Sequence, residues 1–407
     1  IHFIVKKGSC DLRYRIDGVI RTVEVLSEQH GKDLVSTIYQ SMCDVTSETT
    51  LIPNQPQDGK MSSDYLKECG LFGSRYASRP TDVNYMVVLR LLYDRDHTHD
   101  LRHLGYTDEQ VEKLENMLSR TSGVNFISGE TGSGKSTTLE CLMTIKIELE
   151  NGNINLITIE DPPEYEIKGA NQTPLQCDRD DPDSISQAWV RSISNCMRLD
   201  PDCLMIGETR DAQSARAAIQ GAMTGHPIWT TVHANDAVFI LKRLEDMGVD
   251  IGLIADPKLI TGLVNQSLIP KLCPECKVPY NENKGRLKKG LQQRIQQVGL
   301  KESNIYLAGC GCKNCNNTGI KGRTVVAEMI IPDVNFMRIY RERGTADARQ
   351  YWVKSLNGVT KCQHLLQLIE SGLVDPEIAE RMILPLNEDL LSIDGVSDES
   401  FKKVAHL

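Results

Sequence analysis

The sequence of 407 residues lacks the features that mark several special classes of protein. It contains no apolar run of about 18 residues, the length that a membrane-spanning helix needs. Its longest apolar stretches are interrupted by charge, as residues 87–93 are by Arg90. Fixed-period repeats and low-complexity tracts are also missing, which argues against collagen, fibrous proteins and long disorder. The sequence shows no signal peptide and starts at Ile1, so we expect that a longer native N-terminus precedes it.

Basic charge is not in excess either. The 46 Lys and Arg residues stand against 55 Asp and Glu residues, a net charge of −9, whereas dedicated nucleic-acid-binding domains are usually basic. The 13 cysteines are odd in number and scattered, which argues against a disulfide framework and favours a few metal-ligating thiols in a cytosolic protein. At about 150 residues per domain, the length predicts two or three domains.

Residues 1–95 are predicted to form an α/β domain. Apolar and basic side chains alternate over residues 12–16, which is the period of a half-buried strand. Asp17-Gly18 then supplies the chemistry of a hairpin turn, after which residues 19–25 can pair back. Residues 32–42 are predicted to form a helix.

A linker and a helix start separate this domain from the next. Residues 93–100 are polar, charged and aperiodic, and we place the linker at residues 96–106. Thr107 and Gln110 then match a capping box. Apolar residues at 111, 114 and 118 fall on one face of the predicted helix.

Strands and helices alternate beyond that point, which is typical of a mostly parallel sheet with helices on its faces. The predicted strands are 124–128, 156–159, 203–207 and 228–232. The predicted helices are 135–149, 184–197, 211–223 and 236–246. The pattern places an α/β domain at residues 107–270 and a helical region at residues 326–407.

One segment matches the phosphate-binding pattern G-x-x-x-x-G-K-[ST]. It follows a predicted strand and opens a predicted helix, where backbone N–H groups and the helix dipole can hold phosphate. Lys135 can reach the β- and γ-phosphates, and the Ser136 hydroxyl can hold Mg²⁺. The expected nucleotide-binding residues are Gly129, Glu130, Thr131, Gly132, Ser133, Gly134, Lys135, Ser136 and Thr137.

Acids follow two predicted strands, at the edge of a parallel sheet where ligands bind. The first group is Glu160-Asp161-Pro162-Pro163-Glu164, whose prolines stop a helix and fix the loop. The second is Glu208, which ends an apolar strand like a Walker B motif with Glu in place of Asp. Alone, either group would be read as solvated strand-end acids. Behind a phosphate loop, they predict metal support and orientation of an attacking water.

Two histidines, His226 and His233, flank the next predicted strand. A lone histidine in such a position is usually a structural residue. Because there are two beside the nucleotide strands, the pattern favours a sensor of the γ-phosphate.

In this order, the segments resemble those of the secretion-superfamily ATPases. That family includes the assembly and retraction motors of type IV pili and the type II and type IV secretion ATPases. The resemblance covers about residues 11–373 and four signatures. Residues 129–137 are similar to the Walker A motif, 158–165 to the Asp box, 200–211 to the atypical Walker B motif and 224–236 to the His box.

The resemblance implies a role for each signature. It makes Glu164 the catalytic glutamate, gives Glu208 the support of Mg²⁺, and adds the His-box residues His226 and His233. It places Glu160, Asp161 and Arg210 beside the nucleotide.

The family's N-terminal domain supplies arginines to the phosphates. Residues 75–90 resemble that segment and give Arg75 and Arg90. Many members carry a further arginine where this chain has Met86, so the resemblance is incomplete there. The alternative is that both arginines are ordinary surface residues.

Two CxxC pairs, Cys273 with Cys276 and Cys312 with Cys315, predict a closed, structural zinc site. The alternative is a set of reduced or redox-active thiols, and Cys310 lies close enough in sequence to replace Cys312. The pattern resembles the tetracysteine element of type II secretion and pilus-assembly ATPases, which retraction ATPases generally lack. Between the pairs runs a basic segment, read as a solvated loop face or as a contact for anionic lipid or a membrane-bound partner. Its residues are Lys284, Arg286, Lys288, Lys289 and Arg294.

The resemblance implies an α/β protein with a RecA-like P-loop ATPase domain. A smaller, PAS-like N-terminal domain precedes it, and a zinc element at residues 271–325 and the helical region follow. It also implies a cytoplasmic homohexamer that uses ATP, Mg²⁺ and Zn²⁺, with ATP bound between the first two domains. Such a hexamer would act on an inner-membrane platform protein in type IV pilus assembly or type II secretion, with no nucleic acid. The alternatives are a type IV secretion ATPase, a retraction motor, a RecA-like DNA motor and a non-hydrolysing scaffold.

Overall fold

The computed structural model describes residues 1–16, 19–46, 48–93, 100–177 and 181–393. The chain divides into two compact units. The first comprises Ile1–His97 with Pro163–Glu166, and the second comprises Thr98–Pro162 with Ile167–Leu407. The division near residue 97 lies close to the predicted end of the first domain at residue 95. The predicted Asp17-Gly18 turn and residues 94–99 of the predicted linker region lie outside the described residues.

The first unit is built on an antiparallel sheet with one helix, α1 (Glu28–Met42), packed against it. Across its described residues, the strand order is β3-β2-β1-β7-β6-β5-β4. The strands are β1 (His2–Lys6), β2 (Ser9–Ile16), β3 (Val19–Ser27), β4 (Cys43–Thr46), β5 (Gln57–Met61), β6 (Leu71–Pro80) and β7 (Tyr85–Tyr93). The predicted helix at 32–42 is confirmed and begins earlier, because the Ser27 side chain caps it by accepting from His30 N–H.

The β2–β3 hairpin is confirmed, but its predicted half-burial is wrong at the far end. Ile16 is 57% exposed, and Val23 and Val25 are 54% and 63% exposed. Ile16 is the last residue of β2, and Val23 and Val25 belong to the edge strand β3, so none of the three packs in the core that forms around α1. The core of the unit lies instead between α1 and the central strands, around Tyr39 and Tyr76.

The second unit is built on a mostly parallel sheet, as predicted. Within the described residues its strand order is β10-β9-β11-β12-β8-β13-β16, and the final pair is antiparallel. Its strands are β8 (Gly123–Ser128), β9 (Leu156–Glu160), β10 (Asn171–Pro174), β11 (Cys203–Ile206), β12 (Pro227–Val232), β13 (Ile260–Leu272) and β16 (Ile320–Ile330). A separate two-stranded sheet pairs β14 (Val278–Pro279) with β15 (Tyr306–Leu307).

Helices cover both faces of this sheet. The first helices are α2 (Leu101–Leu104), α3 (Asp108–Leu118), α4 (Lys135–Leu149), α5 (Pro182–Cys196), α6 (Ala212–Met223), α7 (Phe239–Asp246) and α8 (Ile251–Ile254). The later ones are α9 (Tyr280–Asn283), α10 (Lys289–Gln297), α11 (Val334–Arg343), α12 (Thr345–Ser355), α13 (Lys361–Glu370), α14 (Pro376–Met382) and α15 (Glu388–Ser392). Adjacent residues of β8 alternate between two cores, since Phe126 packs in one and Ile127 in the other. The Thr107–Gln110 capping box of α3 is confirmed.

The predicted strands and helices of residues 107–246 are confirmed with small shifts at their ends. The helix predicted at 236–246 begins only at Phe239, whose N–H donates to Asp236 Oδ1 at 2.7 Å. Three strands of this sheet were not predicted, namely β10, β13 and β16. Of these, β13 and β16 extend the sheet beyond β8 and cross the predicted domain ends at residues 270 and 325.

A third core joins the cysteine-bearing segment to the C-terminal helices. Tyr280, Leu291 and Ile295 pack in it together with Leu365 and Ile369 of α13. Residues of the predicted zinc element and of the predicted helical region therefore pack in one core. No helix among the described residues is both long enough and apolar enough to span a membrane.

Candidate functional site

The phosphate loop has the predicted local structure. Strand β8 is entirely buried, residues 129–134 turn, and α4 begins at Lys135. Gly129 has φ +146°, and a Cβ there would lie 2.2 Å from Gln266 O, so only glycine fits. Gly134 has φ +86° and caps α4 without a side-chain hydrogen bond. The first N–H groups of α4 thus face an open loop, the arrangement that binds phosphate at helix N-termini.

The Lys135 side chain lies against this loop. Its ammonium donates to Gly129 O at 2.8 Å and to Glu130 O at 3.0 Å. Burial lowers the pKa of Lys135, while the nearby Glu208 carboxylate opposes that shift. Ser136 follows at the exposed start of α4. The predicted Walker A residues therefore present one ammonium, one hydroxyl and the backbone N–H groups from a single contiguous segment.

Two buried side chains that the sequence analysis missed fix the loop from behind. Gln266 of β13 donates from Nε2 to Ser133 O at 2.8 Å. Its Oε1 accepts from the Tyr106 hydroxyl at 2.7 Å, and the same hydroxyl lies 3.1 Å from Thr138 Oγ1 of α4. The signal in the sequence was the polar Asn265-Gln266 pair inside the apolar run 260–269, since buried polar side chains require partners.

Glu208 lies beside this loop at the end of β11. Its Oε1 is 3.1 Å from His233 Nε2, and its Oε2 accepts from Arg210 Nε at 2.8 Å. Backbone contacts hold the segment against β12, because Thr209 N–H donates to Thr231 O and the Thr231 hydroxyl donates to Gly207 O, both at 2.7 Å. The structure therefore brings together Glu208, Arg210 and His233, three of the residues that the sequence singled out.

His226 lies elsewhere. It precedes β12, whereas His233 follows it, and the six residues of that strand separate the two by roughly 20 Å. Since β12 runs parallel to β8, His226 is at the edge of the sheet opposite the phosphate loop. Its Nδ1 lies 3.1 Å from Thr224 Oγ1. Of the two histidines, only His233 is brought to the loop within this chain.

Glu160 closes β9 at the same edge as the phosphate loop. Its Oε1 accepts from Thr158 Oγ1 at 2.7 Å and from Gln172 Nε2 at 2.8 Å. The carboxylate is thus oriented by one donor from its own strand, β9, and one from the neighbouring strand β10. Asp161 follows it directly.

Glu164 groups with the two predicted arginines in the first unit. Its Oε1 lies 3.3 Å from Arg75 Nη2 and 3.5 Å from Arg90 Nη2. Arg75 and Arg90 are direct cross-strand partners of β6 and β7, where two like charges would repel each other. The Glu164 carboxylate, 13% exposed, compensates that repulsion. Both arginines therefore share one acidic partner, although the Arg90 side chain is 57% exposed.

The four cysteines of the CxxC pairs form a cluster. Their sulfur atoms all lie within 4.8 Å of one another, and the closest pair, Cys273 and Cys312, is 3.7 Å apart. Cys310 is exposed, and its Sγ contacts Gly311 O instead of the cluster. The cluster thus contains Cys312, which resolves the ambiguity that the sequence left.

This donor set fits zinc. Zn–S bonds of about 2.3 Å in a tetrahedron place sulfur atoms about 3.8 Å apart, close to the 3.8 Å of Cys276–Cys315 and Cys312–Cys315. The N–H groups of Cys312 and Gly319 each donate to Cys315 Sγ at 3.2 Å. Desolvation raises the pKa of the Cys315 thiol, but backbone hydrogen bonds outweigh it and lower this pKa to about 6, which favours the thiolate that binds metal.

Most of the basic segment between the cysteine pairs is engaged within the chain. Lys284 pairs with Glu302, and Arg294 forms a two-pronged contact with Glu380. Arg286 donates to Ala308 O at 2.7 Å. These side chains hold the segment beside the third core, while Lys288 and Lys289 are exposed.

Comparison with known proteins identifies the family. The family model described as "Type II/IV secretion system protein" matches residues 1–380. The chain belongs to this family. The match runs through both units of the structure, so it includes the arginine-bearing sheet as well as the phosphate loop.

Members of the type II/IV secretion system family that resemble this chain include secretion and pilus proteins. The chain is 34% identical over 336 residues to the type II secretion system ATPase E of Vibrio cholerae, covering 82% of this chain and 62% of that protein. It is 30% identical over 384 residues to the type IV pilus assembly ATPase PilB of Thermus thermophilus, covering 90% and 40%. The chain therefore spans less than two thirds of the length of these relatives.

Solved structures show the same fold. The pilus retraction motor PilT, crystallised with ADP, superposes with a TM-score of 0.60 at 21% identity, covering 94% of this chain and 92% of that one. The Legionella pneumophila ATPase DotB superposes with a TM-score of 0.61 at 19% identity, covering 93% and 90%. The expected α/β fold of the secretion-superfamily ATPases is thereby confirmed.

Proposed function

We propose that this protein is a Mg²⁺-dependent ATPase that powers type IV pilus assembly or the related type II secretion. One observation carries the proposal: Lys135, Glu208 and His233 follow adjacent parallel strands and meet at one edge of the sheet. That edge is where open α/β sheets bind nucleotides. Family membership and similarity to a type II secretion ATPase and a pilus assembly ATPase support the same proposal.

In the proposed reaction, Lys135 exchanges its loop carbonyls for the β- and γ-phosphates of ATP. Ser136 and Glu208 would hold Mg²⁺, which when bound neutralises phosphate charge. His233 and Arg210 orient Glu208. Glu164 accepts a proton from the attacking water, and Arg75 and Arg90 stabilise the charge that develops on the phosphates. Glu160 and Asp161 form the polar edge beside the nucleotide.

Zinc is proposed as a structural ion held by Cys273, Cys276, Cys312 and Cys315. These residues follow β13 and precede β16, so the metal would clamp the ends of the antiparallel pair, where Cys273 N–H also donates to Gly319 O at 3.0 Å. Together with the similarity to assembly and secretion ATPases, the cluster favours assembly or secretion over retraction. We further propose a cytoplasmic homohexamer that reaches the inner membrane through a platform protein and binds no nucleic acid.

The test compares Lys135→Ala with Lys258→Ala, a change at an exposed lysine of the same unit. In the purified chain, Lys135→Ala is expected to lower ATP turnover by at least about 10²-fold, as loss of a charge-stabilising donor does. Lys258→Ala should leave turnover unchanged. Absence of ATP turnover in the unmodified chain would overturn the proposal, and stimulation by DNA would favour the DNA motor instead.

The cellular role is tested with the same variants in the source cell. If the protein assembles pili, Lys135→Ala removes surface filaments in electron micrographs. If filaments persist and exported proteins stay inside the cell, the protein serves secretion. Filaments that persist or multiply with export intact would identify a retraction motor.

A further inference from the structure

A row of four residues crosses the sheet of the second unit beside the phosphate loop. The strand register aligns Val232 of β12 with Ser128 of β8, Ser128 with Asn265 of β13, and Asn265 with Glu328 of β16. Ser128 directly precedes the phosphate loop, and Val232 directly precedes His233. Asn265 and Glu328 are fully buried, although both are polar.

Asn265 connects the two functional loops at the centre of this row. Its Nδ2 donates to Ser128 Oγ and to Ala234 O, both at 2.9 Å. Its Oδ1 accepts from the ammonium of Lys361 at 2.6 Å. Lys361 is the first residue of α13, so its side chain connects the C-terminal helices to this row.

The backbone after His233 is held at three of the next four residues. Ala234 O accepts from Asn265 Nδ2, Asn235 O accepts from Lys361 Nζ at 3.1 Å, and Ala237 N–H donates to Glu328 Oε1 at 2.8 Å. The three side chains come from β13, α13 and β16. Because His233 is the residue that precedes this pinned segment, its direction toward Glu208 depends on them.

The charges in this network are balanced. Glu328 accepts from Arg349 Nη1 and Nη2 at 3.3 and 3.2 Å and from Lys361 N–H at 3.0 Å. Burial alone raises the pKa of Glu328, but Arg349 and Lys361 outweigh it and lower the pKa, so the carboxylate stays ionised. Arg349 also lies 3.8 Å from the buried Asp389. Lys361 thus lies beside the buried ion pair of Glu328 and Arg349, and its ammonium contacts the backbone of the His-box loop at Asn235 O.

We propose that Lys361 is a positioning residue for His233: its ammonium holds Asn235 O and Asn265 Oδ1, so that the C-terminal helices set the distance between His233 and Glu208. The inference rests on the proposed ATPase function and extends it. Lys361 itself does not touch the reacting atoms. Its effect passes through the loop that follows β12, and the state of the C-terminal helices thereby controls turnover.

The test uses the full chain with Lys361→Met, which keeps the length of the side chain but removes its donors. Lys361→Arg is the conservative variant, and Lys354→Met, at an exposed position of α12, is the matched control. Lys361→Met is expected to lower kcat about tenfold or more, because small displacements of catalytic groups slow the reaction by such factors. The KM for ATP should stay within about twofold of the wild-type value. Lys361→Arg should recover part of the loss, and Lys354→Met should have no effect.

A double-mutant cycle separates positioning from a purely structural role. In a His233→Ala background, Lys361→Met should reduce kcat no further, because the group it positions is gone. An equal reduction in both backgrounds would overturn the inference, and so would an unchanged kcat in Lys361→Met alone. If Lys361→Met fails to fold, Lys361→Gln, whose shorter amide keeps a donor but cannot hold both acceptors, replaces it in the same cycle.

The outcomes distinguish this inference from the proposed function. A wild-type chain without ATP turnover removes both. In another outcome, the wild-type chain hydrolyses ATP and His233→Ala lowers its turnover, but the losses caused by His233→Ala and Lys361→Met are additive. That outcome leaves the ATPase proposal intact and removes only the role of Lys361.

Discussion

Arg75 Nη2 lies 3.3 Å from Glu164 Oε1, and Arg90 approaches the same oxygen at 3.5 Å. A single carboxylate therefore holds two guanidinium groups that face each other across β6 and β7. In the proposed reaction, Glu164 activates the attacking water and the two arginines stabilise charge on the phosphates. Their contact therefore connects these two roles. Substitutions on either side of the contact should then affect turnover more than nucleotide binding.

The first prediction concerns the acid. Glu164→Gln should retain ATP binding but lower kcat by about 10²- to 10⁴-fold, because the amide cannot accept the proton of the attacking water. The measurement pairs steady-state turnover with equilibrium binding of a fluorescent ATP analogue. Glu166→Gln, an exposed acid two positions later, is the control and should behave like the wild type. Undiminished turnover in Glu164→Gln would remove Glu164 from the catalytic role.

The second prediction concerns the arginines. Arg75→Ala and Arg90→Ala should each lower kcat by a factor that approaches roughly 10³. This factor is the lower end of the range that an arginine finger contributes to the rate. Lysine at either position should rescue little, since it keeps the charge but not the planar fork. Arg79→Ala, at an exposed position of β6, serves as the control in the same turnover assay. Wild-type kcat in both alanine variants would mean that the pair only stabilises the first unit.

The third prediction concerns the cysteine cluster. Elemental mass spectrometry of the purified protein should find about one zinc per chain, because a closed tetrahedral site of four thiolates holds one ion. Cys273→Ser with Cys276→Ser should lose it and lower the thermal midpoint, because the clamp between β13 and β16 is gone. Cys310→Ser should keep both the zinc and the midpoint, since Cys310 lies outside the cluster. Metal-free native protein of normal stability would contradict the site.

The fourth prediction concerns pH and the buried His364. Its Nδ1 accepts from Ala327 N–H at 3.0 Å, and burial lowers its pKa to about 4 from the ordinary 6.5. Between these values the unfolded chain binds more protons than the folded chain. The contribution to stability is therefore complete above about pH 6.5 and falls as the pH is lowered, by roughly 1.4 kcal/mol per pH unit.

The measurement compares unfolding of the wild type and His364→Gln between pH 7 and pH 4. The free energy of unfolding of His364→Gln should fall less steeply as the pH is lowered, because the contribution of His364 is missing. Burial raises the pKa of Asp389 to about 6, so its contribution to stability increases as the pH falls from about 6 to about 4. Because both proteins contain Asp389, this contribution cancels in the comparison. Parallel slopes in wild type and His364→Gln would contradict the assignment.

Much of the second unit could be predicted from local patterns. The helix that begins at Lys135 and the buried strand before it were read correctly, because the glycine-rich loop fixes both ends. The acid at Glu208 and the four cysteines were also found by spacing. In contrast, β13 and β16 were missed, and with them the side chains of Gln266 and Asn265 that hold the phosphate loop.

The sequence by itself determined which segments match a phosphate loop, carry acids and supply paired thiols, because each of these is encoded within a few consecutive residues. Only the tertiary structure decided which segments meet. Ser128 and Asn265 are 137 positions apart, and Asn235 and Lys361 are 126 positions apart, yet each pair is in contact. Strand order and register create these contacts and also separate His226 from His233. They depend on the packing of the whole sheet, which no local pattern specifies.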